Sequence, residues 1–297
     1  MKKVLLALSS IYIIWGSTFL AVRYVLESFP PLAMSGARFA VAGIMLYLYC
    51  WRRCPRPSGK QWRSAALVGV LMLGTGTGLV AWAEQTVTSG QAALLNATTP
   101  LWIALWAFYR RGYPGHATVA GVALATLGVV TLAGGAGTWS VGALAIFLAS
   151  LSWTAAAILS PNLDKPASSV QFSGMTMLCA GIFLGGWSTL VGEQMLGPIT
   201  ASALFSWLYL VVAGSLIGLT AYTWLLQNVS ATLVATHTYV NPVIAVGLSA
   251  LVGEALPRSM PLAMALVVTG VACISFKDVV FPARVFRTWI PMIGHGH

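Results

Sequence analysis

Charge is the scarcest property of this chain. Only 7% of its 297 residues are charged, and just 6 of those are acidic. A water-soluble domain carries about 25% charged residues to hydrate its surface, so this composition excludes a soluble globular protein. Catalytic signatures are missing too. The sequence holds no H-E-x-x-H, no G-x-S-x-G and no phosphate-binding P-loop, motifs that would mark a zinc hydrolase, a serine hydrolase or a nucleotide-driven pump. Cysteine is sparse. Cys179 and Cys273 fall in apolar runs, and Cys50 and Cys54 flank a basic segment, so reduced thiols are expected rather than a disulfide framework. Cys50-x3-Cys54 has no metal-ligating neighbours in sequence, and the terminal Gly-His-Gly-His reads as a frayed tail. No cofactor and no metal are expected.

What is abundant is apolar sequence, at 58%. Charge-free runs cover Val4 to Val22, Ser64 to Ala83, Gln85 to Tyr109 and Gln194 to Gly253. A helix needs roughly 20 apolar residues to cross the hydrocarbon core, so the solvent of this chain is lipid. The first run opens like a signal peptide but continues to spanning length without a small-residue cleavage site, and is expected to stay as the first span. Ten spans are expected: 4–26, 32–51, 64–83, 87–109, 117–134, 140–160, 168–191, 201–226, 230–252 and 260–277. The breaks have chemical causes. Pro30-Pro31 removes backbone donors, and the Gly-rich stretch 134–138 and the polar stretch 227–230 divide otherwise uncharged sequence.

Ten spans put alternate loops on opposite sides of the bilayer. One side then holds Lys2, Lys3, Arg52, Arg53, Arg56, Lys60, Arg63, Arg110, Arg111, Lys165, Lys277, Arg284 and Arg287, which is 13 of the 16 basic residues. Basic loops stay in the cytoplasm, so both termini are expected inside. This asymmetry also accounts for the net charge of +10 without any nucleic-acid partner.

The sequence repeats itself. Residues 35–44, SGARFAVAGI, and 173–182, SGMTMLCAGI, share Ser, Gly and the closing Ala-Gly-Ile at a spacing of 138, and Trp15 matches Trp153 at the same spacing. Further on the spacing becomes 142, pairing Gly76 with Gly218, Trp82 with Trp224, Val87 with Val229, Pro100 with Pro242 and Gly128 with Gly270. The expected organisation is a first five-helix repeat over 1–136, a second over 137–281 and a cytoplasmic tail over 282–297. Because five is odd, the second repeat enters the membrane inverted. Inverted repeats let two halves exchange conformations around one midplane site, which is how secondary transporters alternate access.

Several segments carry a family resemblance: IIWGSTF in the first span, PPLAMSGARFAVAG leading into the second, AEQTVTSGQAALLNATTPLW from the third into the fourth, and YVNPVIAV with GEAL near the ninth. The chain resembles the drug/metabolite transporter superfamily, with two EamA-type domains, and most of all the YedA-type branch of bacterial inner-membrane permeases. The resemblance covers all but the tail. It implies a ten-helix fold, a central cavity lined from both halves, and export of small metabolites or drugs across the bacterial cytoplasmic membrane. One position departs from a strict duplication: Gly253-Glu254 follows the ninth span, where the first half has Arg111-Gly112.

Polar residues inside the spans are the site candidates. Arg38 costs about 2.5–3.5 kcal/mol at a helix centre, so it faces protein or water. It reads as a countercharge for an anionic substrate or a partner for Glu84, against a structural ion pair or snorkelling to headgroups; its repeat copy is Thr176. Thr77 and Glu84 share a face of the third span, and Glu84 is the candidate for proton coupling, against a hydrated carboxylate at the membrane edge. Asn96 and Thr99 precede Pro100, and His237 and Asn241 precede Pro242. A proline deprives the carbonyl four residues back of its donor, so Pro100 and Pro242 are candidate hinges and the polar neighbours candidate cavity lining, against plain interhelical hydrogen bonding. Trp15 and Thr18 on the first span, Trp153 on the sixth and Tyr222 on the eighth complete the substrate-binding candidates, with packing as the alternative for the tryptophans. Gly74, Gly78, Gly214 and Gly218 read as packing residues, and Asp164, Glu193 and Asp278 as loop charges.

The expected function is secondary export of a small organic solute, such as an amino acid, a related compound or a drug. The partners are that substrate, the bilayer and protons, with a monomer sufficient and the oligomeric state open. The alternatives are an intramembrane enzyme, which would need a nucleophile beside His237, and a non-transporting membrane partner or channel subunit.

Overall fold

The computed structural model describes residues 2–111, 115–132, 140–229, 233–234 and 236–280, and every regular element among them is helical. The chain opens with α1 (Lys2–Val25) and α2 (Pro31–Trp51). Pro31 takes the first helical position of α2, where its missing N–H costs nothing. Helix α3 (Gly59–Ala83) begins earlier than its apolar run, because Ser58 and Gln61 form a reciprocal capping box that holds the polar first turn. Thr88 and Gln91 repeat the device at the start of α4 (Ser89–Asn96). Then follow α5 (Thr99–Arg111), α6 (His116–Leu132), α7 (Val141–Leu159) and α8 (Ser169–Val191). Helix α9 runs through Ala201–Tyr209, Leu210–Leu219 and Thr220–Asn228. Last come α10 (His237–Leu251) and α11 (Met260–Val280).

Six of these stretches are long and apolar enough to cross a membrane: Lys2–Val25, Pro31–Trp51, Gly59–Ala83, Val141–Asn162, Ser169–Val191 and Ala201–Leu226. His116–Leu132 and Met260–Ile274 are shorter apolar helices. The expected fourth span is not one helix. It breaks between Asn96 and Thr99, so Pro100 starts α5 instead of bending a continuous rod. The expected boundaries at 134–138, residues 230–232 and the tail 282–297 lie outside the described residues.

Two features recur at the duplication spacing. Residues Gly69–Thr77 of α3 and Leu210–Leu219 of α9 are both π-helical, and shifting the first by 142 gives 211–219. The second feature is how equivalent helices pack. A Cβ on Gly36 would lie 3.3 Å from the Gly181 carbonyl oxygen, and one on Gly43 would lie 3.0 Å from that of Gly174. Helices α2 and α8 are therefore antiparallel. Adding 138 to 36 and 43 gives 174 and 181, so each glycine touches the copy of the other. Helices α6 and α11 do the same: Gly121 closes on the Gly270 carbonyl and Gly128 on that of Ala263, which are the copies of Gly128 and Gly121 at a spacing of 142. In lipid no hydrophobic force drives helices together, and close backbone approach across small residues takes its place.

Apolar side chains fill three zones. Leu94, Ile146 and Met260 anchor one, Ile11, Phe39, Met175 and Leu184 a second, and Val25, Met34 and Leu210 a smaller third.

Candidate functional site

Four aromatic rings from four helices meet. Trp15 of α1, Trp153 of α7, Tyr222 of α9 and His237 at the start of α10 meet so that Trp15 and Tyr222 each lie with ring centroids 5.1 to 6.2 Å from the other three. Trp15 meets Trp153 at 87° and His237 at 76°, the edge-to-face arrangement that aromatic quadrupoles favour. Tyr222 is buried, while the other three rings keep partial exposure although four helices converge on them.

Local backbone chemistry fixes the rings. Trp15 Nε1 donates to the Gly214 carbonyl at 3.2 Å, within the π-helical stretch of α9. One turn on, a Cβ at Gly218 would collide with Trp15 Nε1, so the glycine is what admits the indole. His237 Nδ1 donates to the Val234 carbonyl at 2.8 Å; in the neutral ring this leaves the Nε2 lone pair free. Asn241 Nδ2, with the amide oriented to suit its neighbours, donates to the Tyr12 and His237 carbonyls at 3.1 Å each. Tyr12 Oη and Thr236 Oγ1 share a hydrogen bond, so α1 holds the start of α10 by main chain and side chain together.

Arg38 lies beside this cluster. Its Nε donates to Ser215 Oγ at 2.7 Å, and Ser215 in turn donates to the Leu210 carbonyl at 3.1 Å, five residues back. A Cβ on Gly214 would sit 3.0 Å from Arg38 Nη2 and 3.2 Å from Thr18 Cγ2. Arg38 and Trp15 thus flank the same glycine. The expected alternative of an Arg38–Glu84 pair is corrected here: both oxygens of buried Glu84 lack a hydrogen-bond partner among the described residues, and the ion pair found there is Arg23–Glu254 at 2.8 Å.

The remaining candidates go elsewhere. Asn96 Oδ1 accepts from Ser150 Oγ at 3.3 Å, and the Thr99 carbonyl accepts from Thr154 Oγ1 at 3.4 Å. Both bonds run to α7, the helix of Trp153. The Asn96 carbonyl, deprived by Pro100, is satisfied by Thr99 Oγ1 at 3.0 Å. Thr77 is half-buried at the end of the π-helical stretch of α3, next to Gly76, whose Cβ would lie 3.4 Å from Trp153. Pro242 sits inside α10.

One end of the bundle collects Glu27, Glu84, Glu193 and Glu254. Glu254 accepts from Ser89 Oγ at 2.7 Å, from Ser89 N at 3.2 Å and from Ser249, while holding Arg23. Glu193 accepts from Leu32 N at 3.0 Å, Ala33 N at 2.8 Å and Ser188 Oγ at 2.8 Å. Each carboxylate caps the N-terminus of a helix from the other half, α4 and α2 respectively. Glu193 is therefore more than the loop charge its position in sequence implies. The signal was present as STLVGE at 188–193 and SALVGE at 249–254, but its spacing of 61 lies outside the duplication period. Gly192 and Gly253, at φ 68° and 73°, turn the chain so that each glutamate folds back on its serine. Ser215 was missed as well, because a lone serine in an apolar helix has no sequence signature.

Comparison with known proteins adds a separate line. Residues 1–134 and 140–276 each match the EamA-like transporter family. The chain is 35% identical over 285 residues to the uncharacterized inner membrane transporter YedA of Escherichia coli (strain K12), covering 94% of this chain and 92% of that protein. It is 28% identical over 286 residues to the uncharacterized transporter YdfC of Bacillus subtilis (strain 168), covering 93% and 91%. A solved structure at 19% identity superposes with a TM-score of 0.66 over 95% of this chain and 100% of the other, so the fold is shared.

Proposed function

The chain belongs to the EamA-like transporter family, and from that premise we propose that it is a secondary transporter exporting small organic metabolites by alternating access around the aromatic cluster. The chain is a multi-pass inner-membrane transporter, as its family and its relative YedA of Escherichia coli indicate. The substrates are amino acids or related compounds, with drugs of similar size as a further class. The observation that carries this reading is the meeting of Trp15 from the first half with Trp153, Tyr222 and His237 from the second in one partly exposed cluster. A site shared between two halves changes its accessibility when the halves rock against each other.

The architecture under this proposal is ten spans with both termini inside, arranged as inverted repeats 1–136 and 137–281 with a cytoplasmic tail at 282–297. The reciprocal glycine contacts of α2 with α8 and of α6 with α11 support the inversion, as do the matched π-helical stretches. Asn96 and Thr99 support the wall of the site through α7, Asn241 through α10, and the hinges are the break before Pro100 and Pro242 inside α10. Thr18 and Thr77 extend the lining. Glu84 carries the coupling proton at the acidic end, within electrostatic range of Arg23 and Glu254. A monomer suffices, because one chain supplies both halves of the site.

Counterflow in proteoliposomes preloaded with a mixed pool of amino acids tests the reading. Exchange confined to a few solutes supports a carrier and names its substrates. Absence of exchange for every amino acid, drug and organic acid offered would remove the transporter mechanism proposed here.

A further inference from the structure

Arg38 is 6% exposed, in the middle of an apolar helix, and its guanidinium is matched by no carboxylate among the described residues. Its hydrogen bond to Ser215 uses Nε and leaves the terminal nitrogens for something else. The Phe39 ring, 4.9 Å from its Cζ, offers a π face but no negative charge. A buried cation of this kind is stable only with an anion or a strong acceptor beside it. The four-ring cluster begins at the same glycine, where Trp15 Nε1 is anchored to the Gly214 carbonyl. Arg38 Nη2 and Trp15 Nε1 therefore both lie close over the glycine face of α9, the first at Gly214 and the second at Gly218.

Resting on the transporter reading of this site, we infer that its substrate class is the aromatic carboxylic acid in anionic form: the carboxylate pairs with Arg38, and the ring lies against Trp15 and its neighbours. The charge balance favours an anion over a cation. Glu193, Glu254 and Glu27 are engaged at the acidic end by Leu32 N, by Ser89 with Arg23, and by Ser202, so none of these three carboxylates is left to meet a cation at the rings. Arginine binds carboxylates through two parallel N–H donors, which fixes the orientation of the ring as well as its charge.

Binding of radiolabelled benzoate to the full chain in lipid nanodiscs tests this, with unlabelled benzamide, cyclohexanecarboxylate and benzylamine as competitors. Benzoate is expected to bind about tenfold more tightly than neutral benzamide, the size of one charged hydrogen bond. It is expected to exceed cyclohexanecarboxylate about fivefold, the worth of ring–ring contact. Benzylamine is expected not to compete. Arg38→Gln closes the benzoate–benzamide gap, and Trp153→Leu closes the gap to cyclohexanecarboxylate. The wild-type ranking needs no variant to fold, so it decides alone: no benzoate binding, or equal affinity for benzoate and benzamide, overturns the assignment. Counterflow by the same preparation reads the transport step separately. Benzoate binding without any counterflow keeps the ligand class and removes the carrier. Amino-acid counterflow without benzoate binding does the reverse.

Discussion

His237 and Asn241 stand one turn apart on α10 and do different work. The Asn241 amide is committed to two backbone carbonyls, on α1 and on its own helix, whereas the His237 ring edge faces Trp15 and Tyr222. Asn241→Ala therefore removes bonds between helices and is expected to destabilise the protein by about 1–3 kcal/mol, read as a lower melting temperature in detergent. His237→Ala is expected to lower counterflow about tenfold or more at an unchanged melting temperature, the loss of one positioned contact to a bound solute. Equal transport in wild type and the His237 variant would take α10 out of the site. Glu84 is a separate case, since both its oxygens are buried without a hydrogen-bond partner among the described residues. Glu84→Gln keeps the shape and removes the titration, so counterflow driven by a pH difference is expected to lose its dependence on pH. A pH profile identical to wild type would discard Glu84 as the proton carrier and leave Arg23 and Glu254 as the charges to test. The sequence pointed to Arg38 and Glu84 as individuals because charge in an apolar run is conspicuous. It misjudged their pairing, because partners in space are set by helix rotation, which no linear spacing encodes.

At the scale of elements, the duplicated glycines explain what the repeated decapeptide does. Gly36, Gly43, Gly174 and Gly181 form the contact ridge between α2 and α8, so the repetition preserves an interface more than a site. Gly181→Ala would put a methyl group 2.7 Å from Ala40 N, forcing the backbones apart. Gly186→Ala, with nothing within 4 Å of its new Cβ, gains up to about 1 kcal/mol of helix propensity. Melting temperatures of the two single variants should therefore move in opposite directions; a shift of the same sign in both would contradict the proposed packing role. Helix boundaries followed their polar punctuation closely where caps were written in the sequence, as at Pro31 and Thr88. They were missed where the chain stays apolar through a change of backbone. The break after Asn96 falls where Pro100 removes a backbone donor, a signal the sequence held but which reads equally as a bend within one span, whereas the π-helical stretches of α3 and α9 carry no such punctuation. The π-helical geometry matters for the site all the same, since it presents the Gly214 carbonyl to Trp15 and seats Ser215 under Arg38.

For the whole molecule, the acidic end reads as a set of ties between the two halves. Glu193 ties α8 to α2, Glu254 ties α10 to α4 and to Arg23 of α1, and Glu27 accepts from Ser202 Oγ at 3.3 Å, joining the end of α1 to the start of α9. These ties hold the helices that carry Trp15, Tyr222 and His237. Alternating access requires some of them to open while the opposite end closes. The Glu27–Ser202 contact is exposed and lies outside the packed core, so it can be bridged without disturbing the fold. In a chain whose four native cysteines are replaced, Glu27→Cys with Ser202→Cys treated with a short thiol-cleavable crosslinker is expected to lose counterflow. Cleavage with a reducing agent should restore it. The uncrosslinked double variant gives the reference rate, and each single variant controls for modification alone. Undiminished exchange in the crosslinked chain would mean that α1 and α9 move as one body at this end, and the moving boundary would then have to lie between α2 and α8 or between α4 and α10.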